Sequence, residues 1–320
     1  MMRIEPADPR EIRQVLRRAL ATGHQAEPEL EAQVTVFIQY ARALNMPLDE
    51  NWWCIADERR ICACTCVTSP GRTAMLMLPA GAASGLDESG LGEFISAVVK
   101  AKSGANLALL QCLTQPEDRT MTAALRRAGF REITLLEYLD ADLNSTDVRA
   151  WMDTAIRGGP EAGIRVFPYS QGMHKVLSEL IAATYAGSLD CPQLADLRSM
   201  EDVISGHRGA GLFDPRRWLF CADGDGPSGC ILLNENPLRP ALEVVYMGVH
   251  PRARRSGVGR RLLREALQLA HREGISRVTL AVDERNEPAR RLYQSAGFKE
   301  IMRRRAMARV FGASFSESKI

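Results

Sequence analysis

The sequence predicts an α+β fold: a mixed, mostly antiparallel twisted sheet flanked by helices, built twice in tandem. Three observations carry this. Apolar stretches alternate between strand-like period two and helix-like spacing along the whole chain. Short Gly-, Pro- and Asp-bearing turns separate them. The pattern also repeats itself. Ala128-Gly129-Phe130-Arg131-Glu132-Ile133 answers Ala296-Gly297-Phe298-Lys299-Glu300-Ile301, 168 positions later. Ser89-Gly90-Leu91-Gly92 answers Ser256-Gly257-Val258-Gly259 at 167, and Trp53 to Asp57 answers Leu219 to Asp223 at 166.

In the first half, residues 2–7 read as a strand and Pro9 to Leu20 as a helix with Ile12, Val15, Leu16 and Leu20 on one face. A second helix is expected near Leu30 to Leu44, then strands at Trp52 to Asp57, Arg60 to Thr68 and Thr73 to Leu78. A helix over Leu91 to Lys102, a buried strand Leu107 to Leu113, a helix from about Pro116 to Ala128 and a strand near Thr134 to Leu139 complete it. Cys62, Cys64 and Cys66 alternate on one strand and so share a face. Metal ligands usually converge from separate elements, so small apolar core filling is the better reading.

Asn144 to Gly163, with Gly158-Gly159-Pro160, reads as a crossover between domains 1–143 and 164–312, and 313–320 as a tail. The second half restarts with a strand (Ile164 to Pro168), a helix (Gly172 to Tyr185), a polar loop and a helix after Ser199. Strands Trp218 to Ala222, Gly229 to Asn234 and Leu242 to Val249 follow. A helix (Arg260 to His271), a buried strand (Arg277 to Val282), a helix (Pro288 to Ser295) and strands from Phe298 to Phe311 close the chain.

The composition is that of an ordinary globular protein: 320 residues, 46% apolar and 25% charged. A net charge of +2 gives no reason to expect nucleic acid as a bulk partner. No apolar run approaches the roughly 20 residues of a membrane span, and the first residues hold no signal core. Eight cysteines without a disulfide framework point to reduced thiols and a cytoplasmic location. If the two halves pack as a pseudo-dimer, the protein is expected to be monomeric.

The informative stretch is Arg254-Arg255-Ser256-Gly257-Val258-Gly259. It follows an apolar strand and opens an amphipathic helix. A helix start offers unpartnered N–H groups and a positive dipole end, and glycines let an anion approach the backbone closely. Arg252, Arg254 and Arg255 add charge suited to phosphate. The plain alternative is a solvated basic helix start.

This Arg-x-x-Gly-x-Gly, after a strand ending Gly-Val-His-Pro, resembles the pyrophosphate loop of the GNAT acetyltransferases. The resemblance covers Ile164 to Phe311 well and the first half as a worn copy. It implies acetyl-coenzyme A as cosubstrate, with no metal. It also implies direct attack by a primary amine of a small molecule or peptide. Pantetheine is expected against the backbone of Met247 and Val249, and the pyrophosphate on Arg254, Arg255, Ser256, Gly257, Val258, Gly259 and Arg260. Asn286 matches a cofactor-contacting position, or is a cap before Pro288. Tyr293 stands at the family's tyrosine position and is expected to donate a proton to the departing thiolate, unless it is a packing aromatic. Glu243 matches the general base of several members, acting directly or through water, unless it is merely solvated.

Asp87 and Glu88 stand in place of Arg254 and Arg255, and Leu125 in place of Tyr293. Two carboxylates repel a phosphate, so the first half is expected to be a scaffold, against a counter-reading in which both halves bind coenzyme A. The acceptor is expected near Tyr185 to Arg208, where Asp190, Asp196, Glu201 and Asp202 either greet an amine or are solvated surface. Cys191 lacks a placed histidine partner. A non-catalytic coenzyme A-binding protein is the alternative of a different class, and a mycothiol synthase-like enzyme a narrower one.

Overall fold

The computed structural model describes residues 2–153 and 163–312. The crossover glycines Gly158 and Gly159, with Pro160, and the tail 313–320 lie outside them. The chain divides into two compact units. One comprises residues 1–135 and 304–320, the other residues 136–303.

The first unit starts with β1 (Arg3–Pro6), α1 (Ile12–Ala19) and α2 (Glu27–Ala43). Then come β2 (Asn51–Ala56), β3 (Arg59–Ser69), β4 (Thr73–Met77), α3 (Glu88–Lys102), β5 (Leu109–Thr114) and α4 (Arg119–Arg127). Strand β6 (Arg131–Asp142) begins here and runs on into the second unit.

The second unit continues with α5 (Thr146–Met152), β7 (Arg165–Pro168), α6 (His174–Thr184) and α7 (Met200–Gly209). It then holds β8 (Leu212–Asp223), β9 (Gly226–Glu235), β10 (Ala241–Val249), α8 (Val258–Arg272), β11 (Arg277–Asp283) and α9 (Glu287–Ser295). Strand β12 (Lys299–Val310) leaves it for the first unit after Arg303.

The linear boundary expected from the repeat is corrected here, because each unit takes the other half's last strand. In the first, the order is β1-β2-β3-β4-β5 and then the end of β12, with Arg305–Val310 antiparallel to Thr114–Leu109. In the second it is β7-β8-β9-β10-β11 and then the end of β6, with Leu136–Asp142 antiparallel to Asp283–Arg277. Among the described residues, β4 pairs with β5 in parallel in the first unit and β10 with β11 in the second. The repeat therefore holds at the level of topology, while the last strands are exchanged.

Both cores follow from the patterning. Cys62, Cys64 and Cys66 are buried with Leu91, Phe94 and Leu110, the apolar filling expected of them, and burial pushes their thiols up. In the second unit, α8 lays Leu262, Leu263, Ala266, Leu267 and Ala270 on the sheet. Each such leucine contributes roughly 1.5–3 kcal/mol by leaving water. On the opposite face, α6 and α7 bury Leu177, Ile181 and Ile204 against Trp218 and Phe220.

Candidate active site

The site is built on β10. Its parallel pairing with β11 runs from Ala241↔Arg277 to Val244↔Leu280 and stops there. Its antiparallel pairing with β9 continues to Val249↔Gly229. From Val245 to Val249, β10 has no strand partner on its β11 side among the described residues, so the two parallel strands part and leave that edge without ladder partners. A register shift between Val244 and Tyr246 changes which residues share a face. Leu242 and Val244 join the core under α8, and after the bulge Met247 and Val249 pack there too. Val245 and Tyr246 join the α6–α7 core instead. No alternation rule read from sequence anticipates that switch.

At the end of β10 the chain turns through Pro251–Ala253 into α8. Arg255 takes φ 62°, an unfavourable value for a side chain with a Cβ, and Gly257 takes φ 90°. The first helical bond is Arg261 N–H to Gly257 O at 2.9 Å. The Val258 and Gly259 amides therefore lie in the turn that a helix leaves for outside acceptors. A Cβ at Gly259 would sit 3.2 Å from Met247 Cε and 3.4 Å from Leu292 Cδ2, so the helix start packs closely on the strand end and on α9.

The three arginines expected to share one task are used differently. Arg252 pairs with the Asp223 carboxylate at 2.9 Å and donates to the carbonyls of Gly226 and Pro227. Arg254 donates to the carbonyls of Thr184, Ala186 and Gly187 at 2.7–3.0 Å and to Val249 O at 3.3 Å. Its guanidinium thus caps the end of α6, where the helix dipole is negative, and ties it to the loop. Arg255 is exposed and has no hydrogen bond or ion pair among the described residues. The Ser256 hydroxyl donates to Ala253 O, and the Arg260 guanidinium lies 5.2 Å from the Trp151 ring centre.

Tyr293 is on α9, buried at 7% exposure, with its hydroxyl 3.8 Å from Met247 Sδ. Burial, and then the charge of Asp190, pushes its phenol well above the ordinary value. The tyrosine expected as proton donor and the strand residue expected beside pantetheine therefore meet. Asn286 caps α9, its Oδ1 accepting the Ala289 N–H at 3.4 Å. Glu243 lies opposite Thr279 near the start of β10. It reaches solvent, yet surrounding protein raises its carboxyl. Four residues along the strand separate it from Met247, about 13 Å at strand rise.

Other functional-looking groups carry no sequence signal. The Tyr246 hydroxyl bonds Thr184 Oγ1 at 2.5 Å, and the His207 ring lies over Tyr246 with centroids 5.0 Å apart. Burial, with help from Arg198, pushes His207 down to about 4, so the ring is neutral. Asp283, fully buried at the end of β11, accepts from Arg285 at 2.7 and 3.0 Å and from the Cys191 N–H at 3.0 Å. Asp283 N–H in turn donates to Asp190 at 3.3 Å. Only the polar loop around Asp190 was legible in advance.

In the first unit, the matching helix start is occupied by its own carboxylates. Asp87 accepts the Gly90 N–H at 2.8 Å as the N-cap of α3, and Glu88 pairs with Arg127 at 2.9 Å. Leu125 is fully buried in the apolar core.

Residues 181–298 match the Acetyltransferase (GNAT) family. The chain is 31% identical over 180 residues to a mycothiol acetyltransferase of Beutenbergia cavernae, covering 54% of this chain and 58% of that protein. It is 46% identical over 71 residues to the N-alpha-acetyltransferase RimI of Mycobacterium tuberculosis, 22% of this chain and 43% of that protein. The chain thus spans little more than half the length of the first relative and less of the second. Among solved structures, a GCN5-related N-acetyltransferase from Sphaerobacter thermophilus matches with TM-score 0.65 at 16% identity, covering 100% of this chain and 98% of that one. A tandem GNAT protein from the clavulanic acid biosynthesis pathway matches with TM-score 0.55 at 18% identity, covering 98% and 100%. At such identities these two likenesses show the fold alone.

Proposed function

We propose that the chain is a tandem GNAT-type, acetyl-coenzyme A-dependent N-acetyltransferase with one working site, in residues 136–303, a reading supported by the match of residues 181–298 to the Acetyltransferase (GNAT) family. The observation that carries this is the parting of β10 from β11 beside the Tyr293 hydroxyl, with β10 ending on a glycine-bearing helix start.

The residues present fit the cosubstrate. The unpaired edge of β10 would hold pantetheine through the backbone of Met247 and Val249. The pyrophosphate would lie on the turn from Arg255 through Ser256, Gly257, Val258 and Gly259 to Arg260, where amides face outward and Arg255 supplies charge. Arg254 holds that turn in place through its carbonyl bonds and is a positioning residue in this reading. Asn286 already spends Oδ1 on its cap and keeps its Nδ2 donors for a ligand. When bound, acetyl-coenzyme A supplies a thioester whose carbonyl carbon an amine can attack.

The protein's own task is to move two protons. Tyr293 keeps its proton because burial disfavours phenolate, and it presents that proton at Oη next to Met247. Glu243, expected as the base, lies about 13 Å along the strand from Met247, too far to take a proton from an amine at that place itself. The first unit would bind no second cosubstrate, since Asp87 already accepts the Gly90 N–H at the helix start and two carboxylates there repel a phosphate.

Calorimetric titration with acetyl-coenzyme A tests the reading. One site per chain is expected. Two sites would overturn the silent first half, and no binding would overturn the enzyme reading. A mycothiol synthase-like acceptor is a narrower form of the proposal, supported by the relatives' names in sequence comparison. The RimI similarity supports a peptide amine instead. Transfer assays with both acceptor classes decide between them.

A further inference from the structure

We propose that Asp190 is the carboxylate that receives the acceptor as a cationic primary amine and takes its proton, an inference that rests on the acetyltransferase reading above. Asp190 lies on the loop after α6, and two reciprocal bonds fasten that loop to the end of β11. Cys191 N–H donates to Asp283 at 3.0 Å, and Asp283 N–H donates to Asp190 Oδ1 at 3.3 Å. This is the end at which β11 has parted from β10.

The two carboxylates there are not equivalent. Asp283 is fully buried and held by two bonds from the Arg285 guanidinium. Asp190 accepts one backbone bond and otherwise reaches solvent. Its charge is felt at three phenols: Tyr293, Tyr185 and Tyr246. By geometry, Asp190 stands with Cys191 and Asp283, their ligand atoms within 4.8 Å of one another, at the end of β11 where that strand has parted from β10.

The groups beside Asp190 are Asp283 and Cys191, with Arg285 held on Asp283, and its charge extends to the phenols of Tyr185, Tyr246 and Tyr293. Although Asp190 reaches solvent, the protein packed around it raises its carboxyl; the Asp283 N–H bond lowers it, the Asp283 charge raises it and Arg285 lowers it. The Cys191 thiol is pushed up by burial and by both aspartates, so it stays protonated and does not compete as a base. A carboxylate raised in this way both attracts an ammonium and accepts its proton.

The step balances. The ammonium loses one proton to Asp190, its nitrogen forms a bond to the acetyl carbon, the carbon–sulfur bond breaks, and the nitrogen gives up its second proton to water to leave the neutral amide. The thiolate sulfur takes a proton from Tyr293, and Asp190 and Tyr293 return to their starting states by exchange with water, with one proton released overall.

The test uses Asp190→Asn, which keeps an oxygen for the Asp283 N–H, in the full chain. 2-Phenylethylamine, an ammonium at neutral pH, is compared with hydroxylamine, which is largely uncharged there and needs no base to become nucleophilic. Transfer to 2-phenylethylamine is expected to fall about a hundredfold, and transfer to hydroxylamine by less than about threefold. Acetyl-coenzyme A affinity should be unchanged by calorimetry. In the unaltered protein with coenzyme A bound, the Asp190 carboxyl carbon resonance should titrate above the ordinary carboxylate range and move on addition of 2-phenylethylamine. Equal loss with both acceptors, or a resonance that ignores the amine, overturns the role of Asp190 and leaves the function intact. Failure of the unaltered protein to bind acetyl-coenzyme A, or to acetylate either acceptor, overturns both.

Discussion

Glu137, on the strand that the first half contributes to the second unit, accepts from Arg290 Nε at 2.7 Å and lies 3.1 Å from Arg303 Nη2. It is 2% exposed. Arg290 belongs to α9, the helix that carries Tyr293, so a carboxylate encoded in one half of the repeat anchors a helix encoded in the other. Glu137→Ala removes the carboxylate that Arg290 and Arg303 share. Because both are partly exposed, the cost should be about 2 kcal/mol rather than the larger value for a fully buried pair. Urea unfolding checks this, and an unchanged midpoint would mean that the pair anchors nothing.

Arg254 and Arg255 should separate in their effects. Arg255→Ala is expected to weaken acetyl-coenzyme A binding about fivefold, roughly 1 kcal/mol, with no change in melting temperature. Arg254→Ala should lower the melting temperature as well, because three carbonyls at the end of α6 lose their donor. Calorimetry paired with thermal melts reads both, and identical behaviour of the two variants would refute the division of labour.

Tyr293→Phe keeps the ring packed 5.6 Å from Phe298 and removes only the hydroxyl. Turnover is expected to fall about 10²-fold with cosubstrate affinity unchanged. Unchanged turnover at saturating substrates would remove Tyr293 from proton transfer.

His207 should make the fold acid-sensitive. Its folded value, about 4, lies below its ordinary value of 6.5. The unfolded chain therefore binds a proton that the folded one refuses. Stability is complete above about pH 6.5 and is lost as the pH falls towards 4, by roughly 3 kcal/mol at most. His207→Gln should flatten that slope in urea titrations between pH 7 and 4. A slope equal to that of the unaltered protein would assign the sensitivity elsewhere.

Much of the fold was legible because local signals repeat and agree. The helix from Val258 to Arg272 follows its apolar stripe, and the strand from Arg277 to Asp283 its apolar run. The duplication fixed the order of elements in both halves. What misled was the assumption that a repeat in sequence is a domain in space. Leu136–Asp142 and Arg304–Val310 carry the same alternating pattern whether they pair at home or in the other unit. Hydrophobic periodicity specifies which face of a strand is buried and is silent about which edge it joins.

The sequence by itself determined the class of fold, the tandem repeat and the glycine-bearing turn at Gly257, since each depends on residues close together in the chain. Tertiary structure alone decided where the neighbouring charges point. Arg252 and Arg254 look like Arg255 in sequence, yet carbonyls and a carboxylate from segments far along the chain claim the first two. It also brought Tyr293 to Met247, and Asp190 to the end of β11 through Asp283. A side chain's charge is a local property, whereas its partner is set by packing between segments that sequence spacing does not connect.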